Sequence, residues 1–285
     1  MLNHYVPRFY LKGFSCGDSD DQVWVFDKEP QRFFRATVRR VGAAHGFYDD
    51  DVEAELNSRV EAPGNAVIQA IRDREYITPA QKACLAVYIG VSMMRVPERR
   101  RRALNMLPGV VDETVTRAYR EIEALREDHE IPDDLADRRL VEVEGCREKL
   151  KAQPPQSVLD RIRCPWPSEN VVNALFSMRW RFGVATGPSF FITSDNPVFF
   201  FRAYGVGREE SELTFTISSE VVLCGDRQSQ QSAAPEYLKL PEKYAKEVNR
   251  RIASEATRFI FHRDRPNWIP VIAKKEKPYL SRILW

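Results

Sequence analysis

The chain predicts an α+β protein: a mixed or antiparallel sheet built from N- and C-terminal strands, with a large helical middle region. Three observations carry that expectation. Two β-rich runs, 23–26 and 33–38, lie near the start. Helical spacing and capping signals then extend from about residue 50 to about residue 178. From Arg179 onward aromatic and β-branched runs return, as far as Phe261. Strands drawn from distant parts of the chain around a helical block suit α+β rather than an alternating α/β fold. No repeat or low-complexity tract interrupts the pattern. Residues 1–285 therefore read as a single unit. Its helical subregion spans about 50–178 and its β-rich subregion about 179–285, joined by strands from 22–48.

The opening reads Asn3-His4-Tyr5-Val6-Pro7-Arg8-Phe9-Tyr10-Leu11-Lys12-Gly13-Phe14. Four aromatic residues are costly to leave in water, so this segment is expected to pack into the core and take His4 with it. Pro7 fits the first turn of a short helix. Lys28-Glu29-Pro30-Gln31 is the turn of a hairpin, and 41–51 reads as a loop. Val52, Leu56, Val60, Val67, Ile68 and Ile71 recur at roughly helical spacing, with a kink or split expected at Pro63-Gly64.

Thr78-Pro79 starts the next helix, over 80–95, which Pro97 ends or bends. A charged helical region over 98–151 is punctuated at Pro108-Gly109 and Ile131-Pro132-Asp133. Residues 160–167 form a proline-marked connection, and Ser168 caps a short helix through Ser177. Strands follow at 180–185, 190–193, 198–201, 213–217 and 221–224. An amphipathic helix covers 240–256. Runs 258–261 and 269–272 read as closing strands.

Composition limits the function classes. The 43 basic and 41 acidic residues leave a net charge of +2, which argues against a generic nucleic-acid-coating protein. Five cysteines are widely spaced with no Cys-x-x-Cys pair, which argues against a thiolate zinc site and suits reduced thiols in a cytoplasm. The opening lacks the basic and then apolar blocks of a signal peptide. The longest apolar run, 83–94, falls short of the roughly 20 residues that span a bilayer. A cytoplasmic protein with no membrane partner is expected.

Several constellations could carry chemistry. Thr193-Ser194-Asp195-Asn196-Pro197 lies between two aromatic β-rich runs. Asp195 is either a turn residue bonding nearby backbone or a general base or hard-metal ligand, with Asn196 orienting a substrate. Arg95 ends the apolar helix, either neutralising its dipole or forming a fork for phosphate or carboxylate. Arg99 to Arg102 form a run that marks a solvated face or a weak polyanion site.

Glu55 and Glu61 sit about 120° apart around an ideal helix. Glu61, beside Pro63-Gly64, is the better candidate, because a broken helix can aim a side chain into a cleft. His4 and His262 can meet only through the fold, and His45 and His129 have less support. No nucleophile elbow, phosphate-binding glycine loop or dinucleotide fingerprint is present.

His4-Tyr5-Val6-Pro7-x-Phe9-Tyr10-Leu11-x-x-Phe14 resembles the start of the bacterial domain-of-unknown-function family 4238. So do the glutamate-bearing helix around Leu56 and Glu61, Met94-Arg95-x-Pro97, Phe191-Ile192-Thr193-Ser194-Asp195-Asn196-Pro197, and the Val248-Asn249 helix leading to Phe259-Ile260-Phe261. Family members usually end the late strand with tyrosine and serine, where this chain has Phe261-His262. The resemblance spans nearly the whole chain. It ties these motifs together and implies no catalytic roles.

Two readings follow. In the first, the chain is a hydrolase of phosphodiesters or nucleotides, a nuclease-like effector. His4 serves in acid–base chemistry, Glu61 and Asp195 as metal ligands or general base, Asn196 in catalysis and Arg95 in binding phosphate. Oxygen ligands would point to Mg²⁺ or Mn²⁺. In the second, the chain is a non-catalytic binding module. The same polar groups form a buried structural network, and the charged helices over 98–151 contact a protein partner.

Overall fold

Helix α1 (Arg8–Lys12) follows strand β1 (Leu2–His4), with Pro7 preceding the helix in an extended conformation. This is a computed structural model, and it describes residues 2–201, 204–227 and 236–276. The expected hairpin is present as β2 (Gln22–Asp27) and β3 (Arg32–Thr37), with Val25 opposite Phe34. The stretch expected as a loop contains β4 (Ala43–His45), which pairs antiparallel with β1. A three-residue strand is too short for a periodic signal, and its partner is remote in sequence.

Helix α2 (Asp50–Leu56), a π turn (Asn57–Glu61) and α3 (Ala62–Arg72) run on without a break. Helix α4 (Pro79–Met94) starts as expected: Thr78 and Gln81 form a reciprocal capping box. Helix α8 (Glu169–Ser177) packs on α4. The remaining strands are β5 (Arg179–Ala185), β6 (Thr193–Ser194), β7 (Val198–Phe200), β8 (Glu212–Thr216), β9 (Val221–Asp226), β10 (Tyr237–Leu240) and β11 (Phe259–His262). Helix α9 (Glu242–Glu255) precedes β11, and α10 (Ile269–Ala273) follows it.

The strands make a five-stranded sheet in the order β10-β5-β9-β8-β7 and a four-stranded sheet in the order β3-β2-β11-β6. The second is antiparallel throughout, and the first has one parallel pair, β10 with β5. With about 49% helix and 19% strand in segregated runs, the fold is α+β.

Contacts divide the chain into two compact units: Met1–Val96 with Pro165–Trp285, and Pro97–Cys164. The second unit holds α5 (Pro97–Glu127), α6 (Asp133–Ala152) and α7 (Gln156–Arg163). Pro108 lies inside α5 without ending it. Helix α7 covers half of the segment expected as a connection. No helix among the described residues is long and apolar enough to cross a membrane.

Two expected strands are not formed. Residues 190–192 extend without a ladder; the Asn249 amide accepts from Ile192 N–H at 3.0 Å and donates to Phe190 O at 2.8 Å. A side chain on α9 thus replaces a neighbouring strand, which leaves only Thr193–Ser194 to pair with β11. Residues 269–272 are helical, because Pro270 occupies a first turn, where its missing N–H is not needed. The expected helix over 240–256 begins two residues later, since Leu240 belongs to β10.

The aromatic opening does pack inward. Tyr5, Val6, Tyr10, Leu11 and Phe14 are buried in the main core. Tyr10 stacks on Phe215, and its hydroxyl donates to Thr216 O at 2.7 Å and bonds the Thr193 hydroxyl at 2.7 Å. One tyrosine thereby ties α1 to both sheets. Arg72 on α3 donates to Phe9 O, Tyr10 O and Ile217 O, fixing the end of α1 from the other side.

Candidate functional site

Pro63 shapes the site. It cannot donate to the carbonyl four residues back, and its ring crowds that carbonyl. The helix answers by widening: Ala62 N–H reaches Asn57 O, five residues back. Such π turns recur at functional positions. The widened turn absorbs about one extra residue. Glu53 and Glu61, eight apart, then stand roughly as residues seven apart do in an α-helix, within about 20° of the same face. The two carboxylates are electrostatically coupled: burial raises the Glu53 carboxyl above the usual range, and Glu61 raises it further.

Glu61 is the hub of this cluster. Arg95, the residue that closes α4, donates from Nη1 to Glu61 Oε1 at 2.7 Å. The arginine side chain is 1% exposed and the glutamate 18%. Arg95 N–H still bonds Val91 O, so the helix end is kept while the guanidinium turns to the carboxylate. Tyr48 donates from its hydroxyl to Arg95 O. Gly64 lets α3 approach the Tyr88 ring on α4, because a Cβ there would lie 2.3 Å from Tyr88 Cδ2.

His4 arrives on β1, whose pairing with β4 sets it opposite Ala43. Burial lowers its imidazole pKa, and Arg8 lowers it further. Backbone groups of Arg39 and the Glu61 charge oppose that shift. Asn3, fully buried, accepts from the N–H groups of Phe47 and Tyr48.

Asn3 bonds the Glu53 carboxylate through its side chain, and among the described residues the cluster holds buried polar atoms with no protein partner: His4 Nε2, Tyr88 Oη, and Arg95 Nε and Nη2. Most are donors. Unpaired buried donors are costly in a finished core. What complements them is an acceptor-rich group such as a phosphate or carboxylate.

Asp195 and Asn196 bond a different set of groups. Asp195 accepts N–H bonds from Thr257 at 2.8 Å, Arg258 at 2.8 Å and Phe259 at 3.0 Å. Its own N–H bonds Phe259 O. The carboxylate therefore secures the turn from α9 into β11. Burial raises its pKa to about 6 against the pull of those three bonds. Asn196 donates from Nδ2 to Glu255 O and Glu255 Oε2, at 3.2 Å each. None of these bonds reaches His4, Glu61 or Arg95.

The structure thus pairs Glu61 with Arg95 and sets His4 within reach of the Glu61 charge, while the hydrogen bonds of Asp195 and Asn196 go to the end of α9 and the turn into β11. Asp195 and Glu61 do not share the ligand set expected for Mg²⁺ or Mn²⁺: among the described residues no three His, Cys, Asp or Glu side chains are arranged to hold a metal ion. His262 is fully enclosed in β11, with Nδ1 against Asp264 O. Arg99 and Arg100 donate to carbonyls at the end of α7, and Arg101 and Arg102 pair with Glu98. Local bonds therefore absorb the arginine run within its own unit. Glu55 pairs with Arg59 on an exposed face.

Sequence reasoning missed Glu53, Tyr88 and Asn3 as members of the cluster. For Glu53 a signal existed: the proline two residues after Glu61 implies a widened turn, and that turn realigns the two glutamates. Tyr88 gave none, since a tyrosine in an apolar helix reads as core.

The family model described as Protein of unknown function (DUF4238) matches residues 3–266. No curated protein and no solved structure matches the chain.

Proposed function

We propose a function for a chain that belongs to the family Protein of unknown function (DUF4238): it is a hydrolase acting on phosphodiesters or nucleotides, a nuclease-like effector with its site around Glu61. The observation that carries this reading is the set of unpaired buried donors on Tyr88 and Arg95, beside two neighbouring carboxylates and a histidine. Arg95 Nε and Nη2 are a fork suited to two phosphate oxygens. Burial keeps the His4 ring neutral near pH 7, able to accept a proton through Nε2. Burial and Glu61 hold Glu53 toward its protonated form, able to give one. A water oxygen bonds phosphorus, His4 takes the proton of that water, and the leaving oxygen departs with the proton of Glu53. Free, widely spaced cysteines support a reducing cytoplasm as its compartment.

The competing reading is a binding module with a structural network. It is favoured by Asp195 and Asn196, whose bonds are spent on one turn. Its partner surface would be the charged helices over 98–151. Incubation with RNA, DNA and nucleotides, with and without a chelator, separates the two. The hydrolase reading expects turnover that falls at least about 100-fold in His4→Gln and Glu61→Gln while both variants stay folded. Turnover unchanged in both variants, or none in the wild type, supports the binding module.

A further inference from the structure

Helices α9 and α10 enclose a groove of about 640 Å³, floored by residues 188–190. That volume lies in the range of small-molecule sites, about 300–1,000 Å³. One wall is aromatic: Phe190 and Trp268 meet with ring centroids 5.4 Å apart. The other is cationic. Lys243, Lys246, Arg250 and Lys275 line the groove against only Glu242 and Glu247.

Local pairing does not cancel the surplus. Lys246 pairs with Glu242 at 2.7 Å and Arg250 with Glu247 at 3.6 Å. Among the described residues Lys243, whose ammonium lies over the Tyr244 ring, and Lys275 make no ion pair, and Arg250 keeps a buried Nε–H with no partner. An apolar aromatic face beside two ammonium groups, one on α9 and one just beyond α10, calls for a ligand with a planar ring at one end and several negative oxygens at the other.

We infer that this groove binds a nucleoside polyphosphate. The base stacks on Trp268, which Phe190 backs from inside the groove, and the phosphates lie between Lys243, Lys275 and Arg250. The inference rests on the shape and charge of the groove alone. It stands or falls separately from the Glu61 cluster, which shares no residue with it.

The test is calorimetric titration of the full chain with ATP, adenosine and pyrophosphate at low and high salt. ATP is expected to bind saturably and to weaken with salt. Adenosine and pyrophosphate are each expected to bind at least about 10-fold more weakly, since each satisfies one wall only. The double variant Lys243→Glu/Lys275→Glu, exposed and outside the core, is expected to weaken ATP at least about 10-fold with an unchanged melting temperature. The inference is overturned by no ATP binding at millimolar concentration, by pyrophosphate binding as tightly as ATP, or by a double variant with wild-type affinity.

Discussion

Arg95 on α4 and Glu61 at the end of the π turn form an ion pair of 2.7 Å in which the arginine is 1% exposed and the glutamate 18%. The pair joins two helices that no local pattern connects. Its geometry depends on the widened turn that Pro63 imposes, and on the close approach that Gly64 permits.

Removing one partner leaves a buried charge alone. Glu61→Ala is therefore expected to destabilise the fold by about 3–5 kcal/mol, more than an exposed pair would. Glu61→Ala combined with Arg95→Met is expected to recover part of that loss, as a double-mutant cycle in denaturant would show. Equal, additive losses would mean the pair contributes no coupling.

Gly64→Ala is expected to destabilise by about 1–3 kcal/mol through overpacking. The new Cβ would meet the Tyr88 ring at 2.3 Å, and that ring is buried and cannot swing away. Thermal unfolding reads the effect. A neutral or stabilising result would show that α3 and α4 can separate freely.

Asp195→Ala removes the acceptor of three backbone N–H groups. An expected loss of about 2–3 kcal/mol follows, less than three fully buried orphans would cost, because the turn is partly exposed. Asp195→Asn keeps one acceptor oxygen and should lose less. A melting temperature unchanged in both variants would show that the turn holds without its carboxylate.

His262 gives a pH signature. Burial lowers its folded pKa to about 4 from 6.5. Between these values the unfolded chain binds the extra proton, so stability rises with pH across that window and falls on acidification. His262→Gln lacks this term. The variant should therefore gain on the wild type by up to about 3 kcal/mol as pH drops from 6.5 to 4. A constant difference between the two across that window would rule out a neutral buried imidazole.

Much of the local structure was legible in the residues. Thr78, Pro79 and Gln81 announce α4, because capping chemistry is local. The hairpin at Lys28–Gln31 and the buried aromatic opening were legible for the same reason. Two of the failures share a cause. β4 takes its identity from β1. Residues 190–192 lack a ladder because Asn249 supplies the bonds. At 269–272, the signal of Pro270 is ambiguous between an edge strand and a helical first turn. For β4 and 190–192 a remote partner decides the conformation.

The candidate site divides along the same line. By itself the sequence determined an α+β chain with its aromatic opening buried, and named His4, Glu61 and Arg95 as polar residues set among apolar ones. Only the tertiary structure decided which of them meet. Asp195, the sharpest motif in the sequence, closes a turn between α9 and β11. Glu53, which no motif marked, stands beside Glu61. Propensity and capping act within a few residues, whereas charge, hydrogen bonding and burial act across whatever the fold brings close.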